Sequence, residues 1–511
     1  MLGLTTTVPQ LTFFSSATPS TMESASASTQ STLPLSAAAP PTYNHTETNI
    51  HSLISHLSPT IPYTRDPTAC HSTAHTAHSH SSAEQVPTAV FYPRTQSEVA
   101  ALVTQCHARN VAVTSFCGGT SLGGALAATR GGVCVHFRDM AGIVELHEDD
   151  MDVVVQPGIG WVELNRYLEK KGLFFPVDPA PGAKIGGMIA MSCSGTNAYR
   201  YGTMKEWVIS LTVVLADGSV VKTRNRPRKS SAGYDLTHLI IGSEGTLGLV
   251  TEAVLKVTAL PKNLHVGMVA FETMQQGVDV AVQILRSGHL LEAIELADSE
   301  SIRAINHSGL AGETFTELPT LFVKLAGAVQ TIRDQVDFVK GLCGRHGARA
   351  FEVSEKRERI DVIWGARKCL GNAMVTMKKD PSDLFLNTDA AVPISKMARL
   401  VEESDRIVKA GGGGWYCASV GHVGDGNVHT AIVCPLEAKA DVEKLIVQIQ
   451  RLALELDGTI TGEHGVGLKL RDLLAEEVGS AGVDAMRKIK MALDPKGILN
   501  PDKVVRLEAG Y

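Results

Sequence analysis

The segment SFCGGTSLGG (residues 115–124) has the largest influence on the predicted fold. It follows the apolar run VAV (residues 111–113), which predicts a strand that enters a glycine-rich loop. Clustered glycines let backbone N–H groups approach a pyrophosphate closely, and Thr120 and Ser121 add hydroxyl donors. The segment is neither a Walker A loop nor a G-x-G-x-x-G fingerprint. Taken alone, it fits a tight turn as well as it fits a phosphate-binding loop.

Two further glycine-rich segments follow, at residues 185–203 and 240–251. Short β-type runs alternate with amphipathic helical patterns between residues 83 and 262, which predicts one domain. Three such loops within one domain indicate a dinucleotide-type cofactor that several loops surround. A strand pattern at residues 266–271 begins again after Pro261, so we expect a second domain at residues 264–507.

Residues 1–60 differ in composition from the rest of the chain. They are rich in Ser, Thr, Ala and Pro, and the only charged side chains before Arg65 are Glu23 and Glu47. Such a segment buries too little apolar surface to fold alone, so we expect it to be disordered. The composition is compatible with a transit peptide or with a plain tail, because transit peptides are Ser-rich but normally also Arg-rich.

The bulk composition excludes several classes of protein. The chain has 511 residues and a net charge of −6, and it has no long basic run, so we expect no nucleic-acid partner. No apolar stretch reaches the ~18 residues of a membrane-spanning helix, so we expect no transmembrane segment. The nine cysteines contain no C-x-x-C pair, which predicts free thiols in a reducing compartment.

Two short segments near the C-terminus indicate metal chemistry. GHVGDGNVH (residues 421–429) places His422 and His429 on either side of a Gly-Asp-Gly turn, and GEHG (residues 462–465) supplies Glu463. Two histidines and one carboxylate form a ligand set for a divalent metal that keeps an open position. His464 is adjacent to a ligand and could act as a base. The alternative is a pair of tight turns with buried, hydrogen-bonded histidines.

Several longer phrases carry a family resemblance. FPVDP, SGTNAYRYGTM, VVLADG, SAGYDLT, IGSEGTLGLVTEA, GHVGDGNVH, TGEHGVG and LDPKGILNPDKV occur in this order between residues 175 and 504. They resemble the D-lactate dehydrogenase (cytochrome) branch of the vanillyl-alcohol oxidase / p-cresol methylhydroxylase (PCMH) superfamily, and the likeness covers roughly residues 64–506. It implies an α+β protein. A two-subdomain PCMH-type FAD-binding domain at residues 83–262 would precede an α+β FAD-linked oxidase C-terminal domain for substrate and metal at residues 264–507.

The resemblance also implies the residues that would hold a non-covalent FAD. The first loop would hold the pyrophosphate, the middle segment would line the flavin and ribityl side, and the third loop would close over the cofactor. The C-terminal tail would reach the flavin through one asparagine. The implied cofactor-binding residues are Cys117, Gly118, Gly119, Thr120, Ser121, Leu122, Gly187, Gly195, Thr196, Asn197, Gly202, Thr203, Glu244, Gly245, Gly248, Val250 and Asn500.

The same resemblance implies roles for the chemical residues. Zn²⁺ or Mn²⁺ at His422, His429 and Glu463 would hold a small 2-hydroxy acid, and His464 would take the hydroxyl proton. Arg367, which matches a W-x-A-R motif, would bind the substrate carboxylate, and Asn427 would hydrogen-bond the substrate.

The implied reaction is oxidation of D-lactate to pyruvate by hydride transfer to FAD, with electrons passed to cytochrome c or another carrier. D-2-hydroxyglutarate or glycolate as substrate is the nearest alternative, and a metal-dependent hydrolase without flavin belongs to a different class. The resemblance implies a mitochondrial protein, with a cytoplasmic location as the alternative. The sequence indicates no oligomeric state.

Overall fold

The computed structural model describes residues 40–76 and 84–508. Sheets of four, five and eight strands organise these residues, and helices pack on their faces. The fold is therefore α+β, as the family resemblance implies. No helix among the described residues is long and apolar enough to cross a membrane.

The first sheet follows the glycine-rich segment. Its strands are β1 (Tyr63–Thr64), β2 (Ala89–Phe91), β3 (Val113–Phe116) and β4 (Val133–His136). They lie in the order β1-β2-β4-β3, with β2, β4 and β3 parallel and β1 antiparallel to β2. The helices of this part are α1 (Glu47–Leu57), α2 (Pro67–Ala74) and α3 (Gln96–Arg109). Thr95 caps α3, and the helix buries the apolar stripe that its 3.6-residue period predicts: Val99, Leu102, Val103 and Cys106.

Helix α1 corrects the prediction of disorder for residues 1–60. Residues 1–39 lie outside the described residues, but residues 47–57 form a helix whose buried stripe is Ile50, Leu53, Ile54 and Leu57. This stripe joins the core that α3 and the first sheet form. The composition of residues 1–60 does not reveal this helix. A helix of this length is stabilised by the packing of its apolar stripe against other elements and not by intrinsic helix propensity. Helix α1 therefore packs on the first sheet, and strand β1 is an edge strand of that sheet, although both precede the predicted start at residue 83.

The second sheet follows directly. The strands of this region are β5 (Ile143–His147), β6 (Asp152–Val155), β7 (Leu173–Phe174), β8 (Val208–Val214), β9 (Val220–Lys222), β10 (Leu249–Lys256) and β11 (Thr258–Ala259). Five of them form an antiparallel sheet in the order β5-β6-β10-β8-β9, and β7 pairs with β11. The helices are α4 (Trp161–Glu169), α5 (Ile185–Met191), α6 (Ala198–Tyr201), α7 (Met204–Trp207) and α8 (Leu236–Ile240). The two sheets are the two subdomains that the family resemblance implies.

The third sheet belongs to the C-terminal half. Its strands are β12 (His265–Ala270), β13 (Ala293–Ala297), β14 (Thr320–Leu325), β15 (Ala350–Ser354), β16 (Leu384–Asn387), β17 (Ala390–Ala391), β18 (Tyr416–His422) and β19 (Asn427–Cys434). They are antiparallel in the order β15-β12-β14-β13-β18-β19-β16, and β17 pairs with β19. The helices are α9 (Met274–Ser287), α10 (Ser299–Ser308), α11 (Val329–Arg345), α12 (Arg357–Val375), α13 (Met397–Ala410), α14 (Lys439–Glu455) and α15 (Leu474–Leu493).

Helices cover both faces of the third sheet. One core contains side chains of α9, α11, α13 and α14, and the other contains side chains of α10 and α12. Alternate residues of one strand belong to different cores, as the two-residue period of a strand requires. In β13, for example, Ile294 and Leu296 belong to the first core, whereas Ala293 and Ala297 belong to the second.

The C-terminal tail returns to the first sheet. The N–H of Val113 donates to the carbonyl of Ile498 at 2.8 Å, and the N–H of Asn500 donates to the carbonyl of Val113 at 2.7 Å. Ile498 and Leu499 are fully buried in the core of the first sheet. The last residues of the predicted second domain therefore pack against the first sheet.

Candidate active site

Three strands and one helix place four polar side chains on the same face of the third sheet. β13 pairs with β18 so that Leu296 faces Gly421 and Ala297 faces Val420. One further step of this antiparallel register brings Glu295 opposite His422. His429 is on β19, opposite Val420 and diagonal to His422. Arg367 reaches this face from α12.

The β18–β19 hairpin brings the two histidines together, as the sequence predicts. The N–H groups of Asp425 and Gly426 both donate to the carbonyl of His422 at 2.9 Å. Gly426 has a φ of 79°, and a Cβ there would lie 2.0 Å from the carbonyl oxygen of Val392. Only glycine fits this turn. The ring centroids of His422 and His429 are 5.5 Å apart.

Glu463 completes a three-residue cluster that fits a divalent metal. Its Oε1 lies 3.6 Å from His422 Nε2 and 3.2 Å from His429 Nε2. Ligand atoms at ~2.1 Å from a tetrahedral metal are separated by about 3.4 Å, so the spacing matches. Burial raises the pKa of Glu463, but the adjacent imidazoles of His422 and His429 outweigh burial and hold this pKa well below its usual range. The carboxyl group is therefore ionised, as a ligand must be.

Ser194 connects this cluster to the N-terminal half of the chain. Its hydroxyl donates to Glu463 Oε2 at 2.5 Å, across 269 residues of sequence. Ser194 fixes the outer oxygen of Glu463, which leaves Oε1 for the two imidazoles. The adjacent Gly195 is one of the predicted cofactor residues, but no pattern in the sequence distinguishes Ser194 from its neighbours.

Asp389 forms a second possible cluster with His429 and His464, whose ligand atoms lie within 4.8 Å of one another. However, its carboxylate oxygens already accept hydrogen bonds from several donors. These are Thr461 Oγ1 at 2.7 Å, the N–H of Glu463 at 2.8 Å, the N–H of His464 at 2.7 Å and Asn427 Nδ2 at 2.9 Å. Asp389 is therefore better suited to support the Glu463 segment than to hold a metal.

His464, the predicted base, lies beside the cluster. Its ring stacks on that of His429, with centroids 4.9 Å apart and an interplanar angle of 17°. Its Nδ1 is 3.9 Å from Asp389 and its Nε2 is 4.0 Å from Glu463. Burial lowers the pKa of His464, which favours the neutral imidazole that can accept a proton. Two of the cavities that it lines, of about 270 Å³ and about 440 Å³, are also lined by Glu463.

The larger cavity contains the predicted substrate arginine. Arg367 lines it together with His422, His429, Glu463 and His464. Arg367 is 8% exposed, and its guanidinium donates from Nε at 3.0 Å and from Nη2 at 2.5 Å to Glu295 Oε2. Asn427, the other predicted substrate residue, is buried and donates from Nδ2 to Asp389 and to the carbonyl of Ala390. The side chains of Arg367 and Asn427 are therefore both hydrogen-bonded to other residues of the chain.

The smaller cavity is lined by the glycine-rich loops. Of the predicted cofactor residues, it is lined by Cys117, Gly118, Gly119, Thr120, Ser121, Leu122, Gly187, Glu244 and Asn500. Among the described residues, Ser121 Oγ and Asn500 Oδ1 are buried without a hydrogen-bond partner. Buried polar atoms are normally paired, so these two fit a polar ligand. A Cβ at Gly118 would lie 2.7 Å from the carbonyl oxygen of Gly182, so this loop admits only glycine there. The cavity therefore has the glycine-rich lining and the unpaired polar atoms that suit a phosphate-bearing ligand.

The other predicted cofactor residues divide into three groups. Gly245, Gly248 and Val250 line a small extension beside Cys117. Gly195 and Thr196 line the larger cavity. The remaining three have other contacts: Asn197 accepts at Oδ1 from Lys324 Nζ at 3.0 Å, Gly202 lies against Glu206, and Thr203 caps α7.

Glu244 connects the third glycine-rich loop to the segment that carries His464. It is buried, has a φ of 53°, and accepts hydrogen bonds from the N–H groups of Val466 and Gly467. Burial raises the pKa of Glu244 to about 7, although these two N–H groups lower it. The cofactor cavity and the candidate metal cluster therefore share a wall.

Sequence reasoning missed Glu295 altogether. Its Oε1 lies 2.8 Å from His422 Nδ1, and the residue is 1% exposed. The signal was available, because a lone acid stands in the middle of the apolar strand AIELA (residues 293–297). Buried acids are rare unless they are paired.

Two family models match the chain. The model for the FAD binding domain matches residues 87–224, and the model for the C-terminal domain of FAD linked oxidases matches residues 260–504. The two matches cover the halves that form the two cavities described above.

Individual proteins are also similar to this chain. A mitochondrial D-lactate dehydrogenase [cytochrome] from Kluyveromyces lactis is 43% identical over 87% of this chain and 78% of its own length. The protein of the same description from Arabidopsis thaliana is 42% identical over 83% of this chain and 74% of its own length. Among solved structures, p-cresol methylhydroxylase with substrate bound has a TM-score of 0.74 at 14% identity, and the match covers 93% of this chain and all of that one.

Proposed function

The chain belongs to the family of FAD-linked oxidases that contains the mitochondrial D-lactate dehydrogenases (cytochrome), and we propose that it oxidises D-lactate to pyruvate. FAD, held without a covalent bond in the smaller cavity, is its cofactor. A divalent metal, Zn²⁺ or Mn²⁺, is held by His422, His429 and Glu463.

One observation carries this proposal. His464 lies between the two cavities and beside the His422–His429–Glu463 cluster, so a base, a candidate metal site and a cofactor cavity meet at one point. A 2-hydroxy acid loses a proton from its hydroxyl and a hydride from its carbon on oxidation, and this arrangement offers a separate destination for each.

The protein and its cofactors divide the chemistry. When bound, FAD supplies the two-electron acceptor for the hydride that leaves the substrate carbon. When bound, the metal supplies a Lewis acid that lowers the pKa of the substrate hydroxyl. Nε2 of His464 accepts the hydroxyl proton, because Nδ1 of the same ring faces Asp389. Ser194 and Asp389 keep Glu463 and the His464 backbone in place during this transfer.

Arg367 binds the substrate carboxylate in this proposal. Nε and Nη2 are committed to Glu295, but the side chain still lines the larger cavity, so its remaining donors are the ones available to a carboxylate. Lys368 lines the same cavity and offers a second cation. For this reason D-2-hydroxyglutarate, a dicarboxylate, is the second candidate substrate.

The electron acceptor and the compartment come from the relatives alone. Both relatives carry the words cytochrome and mitochondrial in their names. We propose cytochrome c or another one-electron carrier as the acceptor, and a mitochondrial location.

Anaerobic reduction of the bound flavin tests the function. We expect the visible flavin band to bleach when the purified protein is mixed with D-lactate, and not with L-lactate. Addition of a metal chelator should slow this bleaching strongly, and readdition of Zn²⁺ or Mn²⁺ should restore it.

Other outcomes would change or remove the proposal. Bleaching by D-2-hydroxyglutarate alone would keep the mechanism and replace the substrate. Purified protein without any flavin would contradict the oxidoreductase and leave the cluster as a candidate hydrolase site.

A further inference from the structure

A carboxylate lies close to Nδ1 of each of the two candidate metal-binding histidines, His422 and His429. Glu295 Oε1 is hydrogen-bonded to Nδ1 of His422 at 2.8 Å, whereas Asp389 Oδ1 lies 3.5 Å from Nδ1 of His429, an atom without a hydrogen-bond partner among the described residues. The opposite nitrogen of each ring, Nε2, faces Glu463. A carboxylate on one nitrogen of an imidazole fixes the ring orientation and the tautomer that presents the other nitrogen to a metal.

Glu295 differs from Asp389 because its second oxygen accepts from the guanidinium of the proposed substrate arginine, whereas the second oxygen of Asp389 accepts from Thr461 and from backbone N–H groups. Oε2 accepts hydrogen bonds from Nε and Nη2 of Arg367, while Oε1 contacts His422. One carboxylate therefore joins the proposed substrate arginine to a proposed metal ligand. Glu295 is 1% exposed, so water does not compete for either oxygen.

We propose that Glu295 is a positioning residue that holds both His422 and Arg367 in their working geometry. On the His422 side, it keeps the proton on Nδ1 and leaves the lone pair of Nε2 for the metal. On the Arg367 side, it fixes the plane of the guanidinium so that the uncommitted donors face the larger cavity. This inference rests on the proposed function, because it concerns the metal and the substrate carboxylate named there.

The two roles require a carboxylate group with two acceptor oxygens. Glutamine at this position keeps the shape but has one acceptor and one donor. If its amide nitrogen faces His422, it must donate to Nδ1, and the ring proton then moves to Nε2 and blocks the metal. If its amide nitrogen faces Arg367, two donor groups oppose each other, and the guanidinium loses its anchor.

The test compares Glu295→Gln with Glu292→Gln. Glu292 is also buried and immediately precedes β13, and it pairs with Arg200 and Tyr201, away from both histidines. We expect Glu295→Gln to weaken the binding of Zn²⁺ and Mn²⁺ about 10–100-fold, measured by competition with a chelator. The flavin content should stay at the wild-type level. The KM for D-lactate should remain raised at saturating metal, because Arg367 is displaced as well.

Glu295→Asp provides a second measurement that does not depend on the folding of the glutamine variant. Aspartate keeps the charge but is one methylene shorter, so it cannot reach both partners. We expect metal affinity and KM between those of the wild type and Glu295→Gln. The Glu292→Gln control should match the wild type in both quantities.

Three results would overturn the proposal. Metal affinity within about twofold of the wild type in folded Glu295→Gln and Glu295→Asp would remove the His422 role. Equal losses in Glu292→Gln and Glu295→Gln would indicate a general effect of a buried charge change. Wild-type protein that binds neither metal would overturn the proposed metal site itself, and this outcome is distinct because it precedes any substitution.

Discussion

The cofactor cavity and the metal cluster are neighbours, but they are built in different ways. The cavity is formed largely by backbone and small residues of three loops that are each continuous in sequence. The cluster is formed by side chains from separate segments, and several have a buried polar partner such as Ser194 or Glu295. A loop can be recognised from its own glycines, whereas a cluster depends on partners that are distant in sequence. We therefore expect a substitution in one region to change its function without changing that of the other.

The largest expected effect concerns the chemical side alone. His464→Ala should lower kcat for D-lactate by roughly 10²–10⁴-fold, because it removes the group that accepts the hydroxyl proton. The flavin content should not change, since the cavity is made mainly by loop backbone. Anaerobic stopped-flow reduction of the flavin measures the loss. His307→Ala, an exposed position at the end of α10, is the control. A variant that loses flavin and activity together would contradict the separation of the two regions.

The next effect concerns the wall that the two regions share. The pKa of Glu244 is raised from 4.5 to about 7 by burial, so the folded protein holds this proton more tightly than the unfolded chain. The free energy of unfolding should therefore fall as the pH rises from about 4.5 to about 7, by about 3 kcal/mol from this residue. Glu244→Gln should abolish this part of the pH dependence. Denaturant unfolding at several pH values measures it, and equal slopes for both proteins would show that the prediction is wrong.

A third substitution should affect the cavity and leave the cluster intact. A Cβ at Gly118 would lie 2.7 Å from the backbone oxygen of Gly182, which cannot move without shifting its loop. Gly118→Ala should cost on the order of 1–3 kcal/mol in FAD binding, or about 10–100-fold in affinity. Gly182→Ala is the matched control, because its Cβ would meet only Thr120 Cγ2 at an ordinary 3.5 Å. Fluorescence titration of the apoprotein with FAD measures both, and similar affinities would refute the steric argument.

The smallest effect tests the contact between the regions. Ser194→Ala removes the hydrogen bond to Glu463 Oε2 and should weaken metal binding about tenfold, since the supporting partners of metal ligands typically contribute this much. Ser210→Ala removes another buried hydroxyl, one that has no hydrogen-bond partner among the described residues. This control should bind metal as the wild type does. A chelator competition in which the two variants behave alike would argue against the Ser194 contact.

The sequence predicted the local parts of the molecule well. Helix α3 has the buried stripe that its periodicity predicts, and the β18–β19 hairpin has the turn that Gly426 requires. The first glycine-rich loop lines the smaller cavity. All nine cysteines are free, as their spacing predicts. These features depend on residues that are close together in the chain, so short patterns are sufficient to identify them.

Only the tertiary structure decided which distant side chains meet. Helix α1 folds because its stripe packs on α3, and no composition rule for residues 1–60 contains that contact. Arg367 has an acid partner because β13 and α12 meet on one face of the third sheet. Sequence by itself determined the loops, the turns and the candidate ligands of this protein. The pairings among buried charges came from strand register and helix packing, because a charge inside a protein is tolerated only where folding brings its partner.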